Sequence, residues 1–311
     1  MRYVCTIKKQ PLLKKITNGL TVGSIVAGST FFHGPPVLAL GLTKLFKKSR
    51  KVDETNIQIT NSWLSVNNWL IDHVLPNTQW NISVDENLDL NLQGRYLMTC
   101  NHQSWVDTTV NQYFGLTRMP LTRFFTKWEL IFIPFVGQAF KILGFPMMKR
   151  HSKEQIAKNP ALRYRDIEEA RKSCEQLLSQ PFTLLNYLEG TRFTPEKHAQ
   201  QKSPYKHLLK PKAGGLALAL NILGEKIDAL VDMTIIYPNG APGYGEFWLG
   251  DVPKIAVNLR KIEIPEWVHG GNYEDDAEYR VRFQEWVDDL WTEKDQLIEK
   301  MKQKIASTES F

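Results

Sequence analysis

The longest apolar stretch of the chain lies near its start. Residues 16–46 contain no Asp or Glu, and Lys44 is their only charge. Two apolar runs fill the stretch, 17 residues over 16–32 and ten over 37–46. As helices they would measure about 25 Å and about 15 Å, so the first is marginal as a membrane span and the second too short. Gly34-Pro35-Pro36 stands between them, and paired prolines end helices. The pattern predicts helix, break, helix: a shallow hairpin embedded in one leaflet. A single span, a cleaved signal peptide and a buried core helix remain open readings of the same residues.

Beyond residue 52 the pattern changes. Ile57, Ile59, Trp63, Leu64, Val66, Trp69, Leu70 and Val74, set among polar residues, predict an amphipathic helix over 53–75. Residues 79–84 alternate as a strand does. Short apolar runs at 96–100, 182–188, 229–237 and 254–264 read as further strands, several of them buried on both faces. Helical spacing returns over 162–180, 213–223 and 276–306. Residues 124–148 form an apolar segment punctuated by Pro and Gly. Strands alternating with helices predict an α/β fold with a long C-terminal helix.

Charge sharpens this division. Lys plus Arg is 39 and Asp plus Glu is 33, a net of +6. Residues 1–52 hold ten basic side chains and no acidic one, which leaves 29 basic against 33 acidic in the rest. The excess therefore sits on an apolar leader. Each Lys or Arg beside an anionic leaflet adds about 1 kcal/mol, and basic clusters at both ends of the stretch favour the cytoplasmic face for both. A second excess, twelve basic against five acidic residues, covers 118–172 and points to an anionic substrate.

Composition excludes several classes. Hydrophobic residues at 42% and charged residues at 23% fit an ordered chain. Cys5, Cys100 and Cys174 form no CxxC pair, which argues against a disulfide framework or a zinc-thiolate site and for a reducing compartment. No Walker loop, GxGxxG, GxSxG or HExxH occurs, so neither a nucleotide nor a metal site is expected. No nucleic-acid-binding motif accompanies the basic residues.

Two segments carry chemistry. The first is Asn101-His102-Gln103-Ser104-Trp105-Val106-Asp107, which follows the predicted strand 96–100. Ligands of open α/β sheets bind at such carboxyl ends. His102 and Asp107 are five apart, a poor pairing within a helix but a feasible one across a strand–turn–helix junction. A carboxylate on one imidazole nitrogen would fix the tautomer and leave the other nitrogen as a base. Ser104-x-x-Asp107 also reads as a helix-capping pattern, with His102 a plain turn residue. The second segment is Glu189-Gly190-Thr191-Arg192, after the strand 182–188. Gly190 permits close approach, and Arg192 offers a guanidinium fork suited to phosphate. An ordinary polar turn with a surface Arg is the competing reading.

These blocks together resemble the glycerolipid acyltransferases. The first matches their HxxxxD block. Phe125-Thr126-Lys127-Trp128-Glu129-Leu130, followed by Pro134, Gly137, Phe145-Pro146 and Arg150, resembles their second, and Glu189-Gly190-Thr191-Arg192 their EGTR block. The likeness covers roughly residues 95–240 and is greatest to bacterial 1-acyl-sn-glycerol-3-phosphate O-acyltransferases of the PlsC type, with phrases similar to the YihG-like branch. The fourth block departs: Asp232 stands where a Pro is usual, which leaves acyl selectivity open.

The resemblance implies an acyltransferase-type αβ domain over 76–311, preceded by a membrane-associated helical region over 1–75 on the cytoplasmic face of the inner membrane. It implies acyl transfer from acyl-ACP or acyl-CoA to the sn-2 hydroxyl of lysophosphatidic acid, or to another lysophospholipid, on an anionic membrane surface and without a cofactor. A non-catalytic lipid-binding protein of the same fold is the more distant alternative. His102 is then the general base and Asp107 its orienter. Arg192, Lys127 and Arg150 are candidates for the acceptor phosphate. Glu189, Gly190 and Thr191 shape the loop, with the Gly190 or Thr191 amide facing the oxyanion.

Overall fold

The computed structural model describes residues 11–308 except 45, 47, 48, 76, 149–153, 155–157 and 160. Two long helices open it, α1 (Leu12–Thr43) and α2 (Arg50–His73). Strands β1 (Gln79–Val84) and β2 (Arg95–Cys100) follow, then α3 (Val106–Gly115) and β3 (Thr122–Phe124). A small ribbon, β4 (Thr126–Lys127) with β5 (Met147–Met148), brackets a 3₁₀ turn and α4 (Val136–Ile142). The remainder is α5 (Ala161–Leu177), β6 (Phe182–Tyr187), α6 (Pro195–Gln201), α7 (Ala213–Leu223), β7 (Ala229–Ile236), α8 (Tyr244–Leu249), β8 (Lys254–Ile262) and α9 (Ala277–Thr308).

Six strands form one sheet in the order β1-β8-β7-β2-β6-β3. Neighbours run parallel except β7 and β8. The central strands are buried on both faces, which is why they read as unbroken apolar runs. Met98, Cys100, Val231, Met233 and Ile235 pack one core with Val106, Val110 and Phe114 of α3 and Leu70 and Ile71 of α2. On the other face Leu97, Leu184 and Leu230 pack with Leu216 and Leu220 of α7 and with Phe283, Val287, Trp291 and Ile298 of α9.

The leader differs from its expected form. Pro35 and Pro36 do not end the first helix; α1 runs through them for 32 residues, about 48 Å. An interior proline costs roughly 3 kcal/mol through its missing N–H and ring clash. Packing offsets that cost here. Val37 is fully buried, a Cβ on Gly34 would lie 2.8 Å from Phe135, and Gly41 is pressed against Ile142. Phe135 itself takes a φ of 62°, uncommon for a bulky residue. The hairpin turn falls instead between α1 and α2. Lys44 there pairs with Asp53 and donates to Ile142 O at 2.9 Å.

The N-terminal half of α1 is seated too. Lys15 pairs with Asp251 at 2.6 Å, and Asn18 Nδ2 donates to Leu249 O at 3.2 Å. Its opposite side is apolar and open: Leu12, Leu13, Leu20, Phe31 and Phe32 are all exposed. By length and composition α1 qualifies as a membrane span.

Candidate active site

The register of β2 against β6 places the two chemical segments side by side. Cys100 is level with Tyr187 in this parallel pair. Two residues further on, His102 meets Glu189. The His102 N–H donates to Glu189 Oε1 at 2.8 Å, and Phe193 N–H donates to His102 O at 2.7 Å. The loop after β6 therefore grips both polar groups of the His102 backbone. The other carboxylate oxygen of Glu189 accepts from Leu209 N–H at 3.1 Å. Glu189 is fully buried, and burial pushes its carboxyl up to about 7 despite these two backbone donors.

His102 and Asp107 do meet. The chain turns at 103–105 and enters α3, which brings Asp107 Oδ2 to 2.8 Å from His102 Nδ1. The same oxygen accepts from Gln103 N–H at 2.7 Å and Ser104 N–H at 2.9 Å. The capping pattern and the dyad are thus one carboxylate serving both ends of the turn. Since Asp107 accepts, Nδ1 carries the imidazole proton, and Nε2 is the basic nitrogen. Among the described residues Nε2 has no hydrogen-bond partner, and the side chain remains 15% exposed.

Three groups that support the dyad have no motif to announce them. Tyr237, just past β7, donates its hydroxyl to Asp107 Oδ1 at 2.6 Å. The Tyr187 ring lies nearly parallel to His102, centroids 4.0 Å apart. Asn111 Nδ2 donates to Asp107 O at 2.8 Å. Burial pushes the Tyr187 and Tyr237 hydroxyls, and the Cys100 thiol, well above their usual ranges, so all three stay protonated. A buried aromatic at a strand end looks the same in sequence whatever it touches.

The EGTR loop is built around Gly190, whose φ of 65° is left-handed. Its N–H donates to Tyr187 O at 2.9 Å and so cannot face an oxyanion. Lys212 Nζ lies close by, 3.1 Å from where a Cβ on Gly190 would sit. Lys197 Nζ donates to Thr191 Oγ1 at 2.7 Å and to Arg192 O at 3.0 Å, fixing the loop from the first turn of α6. Arg192 is exposed, with its guanidinium 4.8 Å over the half-exposed Trp105 ring. Lys127 is exposed on the separate ribbon β4–β5. Arg150 lies outside the described residues. Asp232 faces the opposite side of the sheet from the dyad, among the side chains that contact α9. Its Oδ1 accepts from Thr99 and from the wholly buried Lys294, at 2.7 and 2.6 Å, and its Oδ2 pairs with Arg260 at 3.1 Å. Burial raises its pKa, but Lys294 and Arg260 outweigh that and hold it below the usual carboxylate range.

Several known proteins are similar to this chain. The chain is 26% identical over 264 residues to the 2-acyl-1-lysophosphatidylinositol acyltransferase of Saccharomyces cerevisiae, covering 71% of this chain and 64% of that one. It is 25% identical over 203 residues to 1-acyl-sn-glycerol-3-phosphate acyltransferase epsilon of Mus musculus, covering 54% and 53%. The chain thus spans less than two thirds of the length of these relatives. Its fold is that of the 1-acyl-sn-glycerophosphate (LPA) acyltransferase PlsC from Thermotoga maritima, with a TM-score of 0.50 over 90% of this chain and 97% of that one at 16% identity. The profile of the Acyltransferase family matches residues 80–238, from β1 through the dyad and the EGTR loop to Tyr237, and the chain belongs to that family.

Proposed function

We propose that the protein transfers a fatty acyl group from an acyl thioester to a lysophospholipid hydroxyl, with the sn-2 hydroxyl of lysophosphatidic acid as acceptor. The observation that carries this reading is the His102 Nδ1–Asp107 Oδ2 bond of 2.8 Å, which presents Nε2 as a base at the carboxyl end of the central strand β2. The acceptor O–H gives its proton to Nε2. Its oxygen attacks the thioester carbonyl directly, without an acyl-enzyme. The tetrahedral intermediate collapses, the C–S bond breaks, and the imidazolium returns the proton to the leaving thiolate. Asp107, held by four donors, stabilises the transient imidazolium. The Thr191 amide is the oxyanion donor of the EGTR loop, because the Gly190 amide is engaged.

Arg192 receives the acceptor phosphate, with Lys127 the second candidate for that role and Arg150 the third. Trp105 holds the guanidinium flat by stacking. Residues 1–75 dock the chain on an anionic membrane and residues 76–311 carry the chemistry. The exposed face of α1 supports this, as do Phe132 and Ile133, exposed near the point where Phe135 seats on Gly34. The donor is acyl-ACP or acyl-CoA, and the basic leader places the site at the cytoplasmic face of the inner membrane. The branch is the YihG-like one.

A membrane fraction given lysophosphatidic acid and a labelled acyl thioester tests this. Label should appear in phosphatidic acid and fall roughly 10²–10⁴-fold in His102→Ala. Undiminished transfer in that variant overturns the scheme. The yeast relative's name favours a second reading, acylation of a lysophosphatidylinositol. An acceptor panel with Arg192→Ala separates the two: the preferred acceptor of the wild type identifies itself, and its use should drop in the variant.

A further inference from the structure

The C-terminal helix α9 reaches the loop that grips His102. Trp291 Nε1 donates to Leu209 O at 2.9 Å, and Trp291 is almost wholly buried. The N–H of the same residue, Leu209, donates to Glu189 Oε2, and Glu189 Oε1 accepts the His102 N–H. Four residues along α9, Asp295 receives two more backbone donors of this segment: Lys206 N–H at 2.9 Å and His207 N–H at 2.7 Å, one on each oxygen. Asp288 and Glu299 hold the side chains of Tyr205 and of Lys206 and His207. One helical face thus engages residues 205–209 over about three turns.

The helix is itself fixed to the sheet. Lys294 Nζ, at 0% exposure, is bonded to Asp232 Oδ1 at 2.6 Å and to Met233 O at 2.8 Å. A buried ammonium persists only where its hydrogen-bonding partners are held in place. Lys294 therefore locks the rotation and height of α9 against β7, and Trp291 and Asp295 project from that locked helix onto 206–209.

We propose that Trp291 and Asp295 are positioning residues for the catalytic base. They brace residues 206–209, those residues hold Glu189, and Glu189 sets the His102 backbone. This inference rests on the acyl-transfer reading of His102. It adds that the reaction depends on a helix that lies beyond residue 238, outside the span matched by the family profile.

The physical basis is the steep dependence of proton transfer on geometry: a misplacement of about 1 Å is enough to cost roughly 10²-fold in rate. Glu189 is buried and, among the described residues, has two donors, one from the braced segment and one from His102. Release of the first lets the carboxylate, and with it the His102 peptide, relax.

The test uses the full-length protein in membranes or detergent. Trp291→Phe keeps most of the ring and removes the indole donor. Asp295→Ala removes both backbone acceptors, and Asp295→Asn restores one oxygen acceptor. Glu293→Ala, in the same helix but bonded outward to Arg260, is the control. We expect kcat to fall roughly 10-fold or more in Trp291→Phe and Asp295→Ala, with partial recovery in Asp295→Asn, an acceptor KM within about twofold of wild type, and no kcat change in the control. Equal kcat in wild type and both variants overturns the brace while leaving the function standing. Inactivity of the wild type on every acceptor overturns the function. Hydrogen exchange over residues 101–107 then decides the brace alone: faster exchange in Asp295→Ala supports it, and unchanged exchange sinks it.

Discussion

Tyr237 donates its hydroxyl to Asp107 Oδ1 at 2.6 Å, on the oxygen that His102 does not use. The carboxylate is therefore clamped from both sides and cannot rotate away from the imidazole. In Tyr237→Phe, Oδ1 becomes a buried acceptor without a partner, at a cost of about 1–3 kcal/mol. Steady-state assays should show kcat lowered about tenfold with acceptor KM little changed, and thermal unfolding should report the stability loss.

Asp107→Asn keeps the shape of the turn but exchanges a carboxylate for an amide. The amide cannot accept from His102 Nδ1, Gln103 N and Tyr237 together. Transfer activity should fall on the order of 10²–10⁴-fold. A variant that retains near-wild-type kcat would remove Asp107 from the mechanism.

Glu189 adds a pH dependence. Burial raises its carboxyl to about 7 from an ordinary 4.5. Between those values the folded state binds more protons at this position than the unfolded state, so stability falls as pH rises through the window. The full swing is on the order of 3 kcal/mol, with no further change from this group above about pH 7. Denaturant titrations of wild type and Glu189→Gln at pH 5 and 7.5 should show the slope in the wild type and its loss in the variant.

The Asp232–Lys294 pair predicts a non-additive pair of substitutions. Asp232→Ala leaves a buried ammonium uncompensated and should cost about 3–5 kcal/mol. Asp232→Ala combined with Lys294→Met should recover most of that in equilibrium unfolding. Acyl-chain preference, measured across donors of several lengths, should not move in Asp232→Asn, because this side chain lies with α9 on the face away from His102.

Gly34→Val places two methyl groups where Phe135 sits. The seat of α1 on the 128–142 segment should loosen, lowering unfolding stability by roughly 1–3 kcal/mol. A thermal midpoint equal to that of wild type would show that the seat carries little weight.

Much of this architecture is readable along the chain. The strands at 79–84, 96–100, 182–188 and 229–237 and the helices at 213–223 and 276–306 lie within one or two residues of their predicted positions. Their signal is local, since burial on one face or two writes a period into the residues themselves. Segment 124–148 was not readable in the same way. It folds into two-residue strands, a 3₁₀ turn and the short helix α4, which packs against Val37 of α1 and Phe124 of β3. The proline pair misled for a related reason: helix-breaking is a local preference, and the contacts of Gly34, Val37 and Gly41 are not local.

By itself, the sequence determined most of the elements, the α/β class, the basic apolar leader and the two segments proposed to carry the chemistry, because each is encoded in neighbouring residues. Only the tertiary structure decided what those segments do to one another. Strand register set His102 beside Glu189, and the path of β7 delivered Tyr237 to Asp107. α9 carried Trp291 and Asp295 to the loop from more than 80 residues away in the chain. Such contacts depend on how strands align and how helices stack, and no local pattern of residue types records either.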